Sequence, residues 1–137
     1  MLEIKVPADV GHLDEVLEFI GKAIKNVGVG EKFNNNIYIA VEEIFVNISH
    51  YAYPSGEGDV TISVNVTGSN ITIEFTDIGT PYNPLEKKDP DITLSADERS
   101  IGGLGIFMVK KLMDSMDYRY ENNKNILSIS KKWSKSV

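Results

Sequence analysis

Three short stretches of this 137-residue chain carry residue types suited to a phosphorylated ligand. Glu43-Ile-Phe-Val-Asn47 sets a carboxylate and an amide one helical turn apart, so both side chains share a face. Asp77-Ile-Gly-Thr-Pro-Tyr-Asn-Pro84 sets a lone carboxylate ahead of a glycine and a proline-stiffened turn. Gly102-Gly-Leu-Gly-Ile106 leads into a helical pattern, where backbone N–H groups and the helix dipole converge on anions.

Each stretch implies a piece of chemistry. The Asn47 amide oxygen is a hard ligand, suited to a magnesium ion held mainly by phosphates and water. Glu43 can take a proton from a hydroxyl or a water aligned on a terminal phosphate. By themselves, without the other stretches, the two read as a solvated acid and amide on a helix flank. Asp77 can accept an exocyclic N–H such as that of adenine N6, and Gly79 lets a base approach the backbone closely. Pro81 and Pro84 stiffen that wall, although Asp, Gly and Pro are also the ordinary residues of a strand-ending turn. Gly102, Gly103 and Gly105 lack the Gly-x-Gly-x-x-Gly spacing of a dinucleotide fold, and no Gly-Lys-Ser/Thr loop occurs. Arg99, beside Ser100, is a candidate phosphate contact in a polar segment; Lys87 and Lys88 read as solvated. His50, flanked by a tyrosine at a helix end, reads as packing, and Phe107, Met108 and Met113 read as core.

The elements that must position these residues follow from periodicity. Leu2, Ile4 and Val6 alternate with polar residues, as in a half-buried strand. Asp9 is a candidate cap for a helix whose apolar stripe is Val10, Leu13, Leu17, Ile20, Ile24 and Val27, closed by Gly28 and Gly30. A second helix runs from about Phe33 to Tyr53 and buries Ile37, Ala40, Val41, Ile44, Phe45 and Ile48. Glu42 and Glu43 flank that stripe, and only the turn-spaced relation to Asn47 selects Glu43. Two strands, 60–67 and 71–76, meet at a Gly68-Ser69-Asn70 hairpin, which leaves Asp77 at a strand end. Residues 85–101 are polar and aperiodic, the pattern of a lid or binding loop. A third helix starts near Leu104 with Ile106, Val109, Met113 and Met116 on one face. Strands at 117–121 and 125–131 flank an Asn122-Asn123-Lys124 turn. The order β-α-α-β-β-lid-α-β-β predicts an α+β chain: a two-layer sandwich, a largely antiparallel mixed sheet with three helices on one face.

Composition bounds the rest. The length suits one domain. A net charge of −6 argues against non-specific nucleic-acid or anionic-membrane binding. The absence of cysteine excludes disulfides, thiol catalysis and Cys-ligated zinc. His12 and His50 form no spaced metal motif, and no apolar run reaches the length of a membrane span. The amino terminus reads as a strand rather than a signal peptide, so a cytoplasmic location is expected.

Taken together, the three stretches resemble the motifs of the GHKL ATPase superfamily, which includes gyrase, the heat-shock chaperone ATPase, histidine kinases and MutL. In size and motif wording the chain is similar to the anti-sigma factor serine/threonine kinases within it. Glu43 and Asn47 match the N box. Asp77, Gly79, Pro81 and Pro84 match the first glycine box, with Tyr82 in place of a phenylalanine. Gly103-Leu104-Gly105 and the segment through Asp114 match the second box and its helix. The resemblance implies a Bergerat-type fold, with Glu43 as general base and Asn47 as magnesium ligand. It implies Asp77 and Gly79 at the adenine, Gly103 and Gly105 at the phosphates, and an ATP lid over 85–101. It also implies a sigma factor and a STAS-fold antagonist as partners, and a homodimer. Many members place a histidine four residues after the asparagine; here Tyr51 holds that position and His50 is one residue early.

The reading that follows is a magnesium-ATP-dependent protein serine/threonine kinase that also sequesters a partner. A nucleotide-gated interaction module without kinase activity is the alternative. A sensor histidine kinase or a gyrase-type ATPase would need a further domain for which this length leaves no room.

Overall fold

The computed structural model of the chain describes residues 1–54, 56–86 and 103–133. Its strands are β1 (Leu2–Pro7), β2 (Asp59–Thr67), β3 (Asn70–Asp77), β4 (Ser115–Glu121) and β5 (Lys124–Lys132). Its α-helices are α1 (Leu13–Ile24), α2 (Glu31–Tyr51) and α3 (Gly103–Leu112). The strands form one sheet in the order β1-β2-β3-β5-β4, and each neighbouring pair is antiparallel. The expected mixed sheet is therefore corrected to an antiparallel one among the described residues. The cause is topological: β5 inserts between β3 and β4, so strands that run in the same direction never become neighbours.

Register decides which side chains meet. Ile4, Ile62, Phe75 and Leu127 fall on one rung, and Val64, Ile73 and Ile129 on another. The pleat sends alternate residues to the same face, so the rung Val6, Val60, Asp77 and Asn125 points the same way as these apolar ones. Two polar residues thus end an otherwise apolar ladder. The opposite face carries Glu3, Ser63, Glu74, Ser128 and Asp117 across one rung. There Ser128 donates to Glu74 at 3.0 Å and Arg119 pairs with Glu74 at 3.7 Å. A face this polar has no need of a second helical layer, and the helices pack on the apolar face alone.

Helix α2 supplies the centre of the core. Its whole expected stripe, Ile37, Ala40, Val41, Ile44, Phe45 and Ile48, is buried. Its first turn begins at Glu31, ahead of the expected Phe33, after Gly30 turns the backbone at φ 131°. Helix α1 buries Val16, Ile20 and Ile24, whereas Val10 is 48% exposed. Val10–His12 is a separate 3₁₀ turn, so the helical phase starts only at Leu13 and brings Val16 inward instead. Helix α3 contributes Val109, with buried Met113 just beyond its end. Met116, expected on that helix, lies on β4 instead, because the chain leaves the helix at Leu112.

Both hairpin loops are two residues long. Gly68 takes φ 58° between Thr67 and Asn70, which pair. Asn122 and Asn123 both take positive φ, 54° and 62°, the type I′ pattern that asparagine tolerates. That tight turn sets the β4–β5 register and places Asn125 opposite Tyr120, while the separate β3–β5 pairing sets Asn125 opposite Asp77. Of the expected lid, only residues 85 and 86 are described, in a 3₁₀ turn, Pro84–Glu86, that starts on the preceding proline. Residues 87–102, with Lys87, Lys88, Arg99, Ser100 and Gly102, lie outside the described residues.

Candidate functional site

Asp77 is the last residue of β3 and is only 6% exposed. Its Oδ1 accepts the Gly79 N–H at 2.9 Å and the Asn125 Nδ2 at 2.9 Å. Burial pushes its carboxyl above the usual range, and these two hydrogen bonds pull it partly back. A Cβ on Gly79 would run into the backbone carbonyl of Ala52. Glycine is therefore required here so that the loop can press on the end of α2, where Thr80 N–H donates to Ala52 O at 2.8 Å. The close approach expected for a base is, in this structure, made by the protein's own backbone.

A cavity opens beside Asp77, lined also by Asn47, Tyr51, Thr80, Tyr82, Pro84, Tyr118 and Asn125. Tyr51 and Tyr82 stack on each other there, with centroids 5.0 Å apart and planes 18° apart. The interior space is about 20 Å³, room for roughly one water. A purine needs these walls to part.

A second cavity, about 180 Å³, is lined by Glu43, Val46, Asn47, His50, Tyr51, Gly105 and Ile106. Asn47 and Tyr51 line both cavities, so the two adjoin along one face of α2. Burial raises the Glu43 carboxyl above its ordinary value, and neighbouring Glu42 raises it further. A Cβ on Gly105 would collide with Glu43 Oε2, so the first turn of α3 seats directly against that acid. A carboxylate with raised proton affinity beside a helix start is chemically able to accept a proton from a bound hydroxyl. Among the described residues, no group of three His, Cys, Asp or Glu side chains could hold a metal ion. Of the side chains lining the second cavity, the Asn47 amide oxygen and the Glu43 carboxylate are hard oxygen donors that suit an ion whose other ligands are phosphate and water; the His50 imidazole and the Tyr51 phenol line it too.

The structure thus brings Glu43, Asn47 and Gly105 together in one cavity, and Asn47 and Asp77 together in the next. Gly79 lines a third, shallow groove with Ala52 and Thr80. Pro81 is exposed and outside the lining of the first two cavities, whereas Pro84 is buried in the first. Gly103 starts α3; the Leu104 side chain and all of Arg99 lie outside the described residues. His50, expected as packing, is exposed and borders the Glu43 cavity.

Sequence reasoning missed Asn125, Tyr118 and Tyr51 as parts of the cleft. Asn125 had one detectable signal. It stands on the inward phase of β5, two residues before Leu127 and four before Ile129, where a polar residue is out of pattern.

Fold and cleft define an α+β sandwich with adjoining cavities between α2, the start of α3, the end of β3 and the start of β5. Residues 6–131 match the family model of the histidine kinase-like ATPase domain, and the chain belongs to that family. It is 22% identical over 130 residues to a Bacillus mycoides protein named serine-protein kinase RsbW, covering 92% of this chain and 81% of that one. The protein of the same name from Listeria monocytogenes is 26% identical over 97 residues, covering 67% and 62%. Among solved structures, the RsbU and RsbW domains of Rv1364c from Mycobacterium tuberculosis superpose with a TM-score of 0.63 at 13% identity. That match covers 99% of this chain and 34% of the other, so this chain spans about a third of it. The mycobacterial sensor histidine kinase MprB gives a TM-score of 0.54 at 16% identity, covering 96% and 97%. At such identities the solved structures show a shared fold. No described helix is long and apolar enough to cross a membrane.

Proposed function

We infer that the chain is a magnesium-ATP-dependent protein serine/threonine kinase of the anti-sigma type, acting on a serine or threonine of a small STAS-fold antagonist. In this reading it also sequesters a sigma factor and works as a homodimer. The observation that carries the kinase reading is the shared cavity of Glu43, Asn47 and Gly105, adjoining the one that holds Asp77. The similarity to proteins named serine-protein kinase supports the choice of substrate class.

When bound, ATP supplies the phosphoryl group and magnesium offsets the charge on its phosphates. The chain's residues do the rest. Asp77 accepts the amino group of the adenine, with Gly79 and Pro81 holding the loop beside it. Asn47 is the magnesium ligand. Backbone N–H groups at the start of α3, at Gly103, Leu104 and Gly105, meet the phosphates, and Arg99 is a further phosphate contact. Glu43 takes the proton from the attacking hydroxyl.

The test is transfer of label from γ-labelled ATP to a STAS-fold protein, with wild type and Glu43→Ala side by side. Labelled serine or threonine with wild type, and its loss in the variant, supports the assignment. Transfer at the wild-type rate by Glu43→Ala removes Glu43 from the mechanism. A partner that binds only with ATP and never becomes labelled would instead make the chain a nucleotide-gated interaction module.

A further inference from the structure

Asn125 and Asp77 are the two buried polar or charged residues among those described, at 5% and 6% exposure. The Asn125 amide is fully committed. Its Nδ2 donates to Asp77 Oδ1 at 2.9 Å, to Thr80 O at 3.1 Å and to Gly79 O at 3.3 Å. Its Oδ1 accepts the Tyr82 N–H at 3.3 Å and the Tyr118 hydroxyl. An amide has two N–H donors and two oxygen lone pairs, so nothing is left over for a ligand. The partners also fix the amide's orientation, because Tyr82 N–H can only donate and the carbonyls of Gly79 and Thr80 can only accept.

We propose that Asn125 is a positioning residue that acts through Asp77: it occupies Oδ1, presents Oδ2 as the single acceptor for the ligand, and pins the 79–82 loop to β5. The geometry carries this directly. Oδ1 receives both Asn125 Nδ2 and Gly79 N–H, whereas Oδ2 receives no hydrogen bond among the described residues. With one oxygen doubly held, the carboxylate cannot rotate to offer a different edge. The same amide ties together three chain segments: the end of β3, the 79–82 loop and the start of β5. Tyr118 on β4 steadies the amide from behind.

A positioning role and a merely structural one differ in their effect on Asp77's proton. The titratable groups facing it are the phenols of Tyr53, Tyr118, Tyr51 and Tyr82, with Glu43 and His50 in the adjoining cavity. Burial holds the Tyr53 and Tyr118 phenols above their ordinary range, so both stay neutral while Asp77 titrates. Removing the Asn125 donor withdraws a bond that favours the ionised acid, so the Asp77 titration moves up in pH.

The ligand arm of this proposal rests on the nucleotide reading above; the proton arm does not. Asp77 is titrated by carboxyl-carbon NMR without ligand, and ADP binding is followed by calorimetry across pH, for wild type, Asn125→Ala and Asn125→Asp. Asn125→Ala is expected to raise the Asp77 midpoint. It is also expected to weaken ADP by roughly ten- to a hundred-fold, the range for a hydrogen bond to a charged group. Asn125→Asp keeps the shape and the two bonds it accepts but cannot donate when ionised. It is expected to lose ADP binding at neutral pH and to regain part of it as the acid pair takes up a shared proton. An unmoved Asp77 midpoint in a folded Asn125→Ala overturns the proposal. So does wild-type ADP affinity at neutral pH in Asn125→Asp, the variant to use if alanine does not fold. A wild type that binds no ADP overturns the nucleotide reading instead and leaves the clamp to be judged by the titration.

Discussion

The two ends of the cleft are built on different plans. At the Asp77 end, a buried carboxylate is held by hydrogen bonds from the 79–82 loop and from β5, and the loop is bonded in turn to Ala52, the first residue after α2. At the other end, Glu43 is partly exposed on the flank of α2, touched by the backbone of Gly105. Among the described residues no hydrogen bond holds it. One end is fixed by the frame of the sheet. The other is set by how closely two helices approach. An acceptor held by hydrogen bonds suits recognition, whereas a base held only by packing depends on its neighbours to bring it into position for proton transfer. The contrast predicts that damage at each end will be read in a different assay.

The largest separation is expected for Glu43→Ala. Phosphotransfer should fall by about a hundred- to ten-thousand-fold, the usual worth of a positioned base, while ADP affinity stays within a few-fold. Asp77→Asn should do the reverse. It should weaken ADP by roughly ten-fold or more, because a charged acceptor is replaced by a neutral one and half of its hydrogen-bonding capacity is inverted. Single-turnover transfer at saturating ATP, set beside calorimetry, checks both. Equal losses in both assays for both variants would erase the distinction between the ends.

Glycine substitutions sharpen the same comparison at a smaller scale. A methyl at Gly79 meets the Ala52 backbone carbonyl, which cannot step aside. Gly79→Ala should destabilise the fold by about 1–3 kcal/mol, the ordinary cost of overpacking. A methyl at Gly105 meets the far end of the Glu43 side chain, which can swing away. Gly105→Ala should leave stability nearly unchanged and lower transfer, because Glu43 is displaced from its seat. Thermal melts and transfer rates on the two variants test this together. A larger loss of stability at Gly105 than at Gly79 would mean that the Glu43 side chain is held as firmly as Asp77.

This difference also sets what could be read in advance. The helical stripe of α2 and the alternation of β2 and β3 are local signals, and they put Glu43, Asn47 and Asp77 on the correct elements. What was not legible depends on register between distant segments. Asn125 meets Asp77 only because β5 lies beside β3, a long-range pairing that the local pattern of neither strand reveals. Tyr51 and Tyr82 meet only once the ends of α2 and β3 are adjacent. The start of α1 failed for a local reason. A 3₁₀ turn shares enough spacing with a helix that Val10 fell into the expected stripe, and the phase error hid Val16.

The smallest expected effect distinguishes the ends by pH. Both carboxyls are raised above their ordinary range, mainly by burial. For Glu43 the consequence is kinetic: the ionised form is the base, so transfer falls as pH drops through a midpoint above that of a free glutamate. For Asp77 the consequence is thermodynamic. A folded-state value above the unfolded one means the folded protein binds the proton more tightly. The contribution to stability is full below the unfolded value and is lost as pH rises through the folded one. The Asp77→Asn protein, which has no charge to bury, should therefore melt slightly higher than wild type at neutral pH, and the gap should close as pH falls into the acid range. Melts of the two proteins from acid to neutral pH measure it. A gap that widens toward acid would mean that the Asn125 and Gly79 bonds outweigh burial, and that the frame stabilises the Asp77 charge at no cost to the fold.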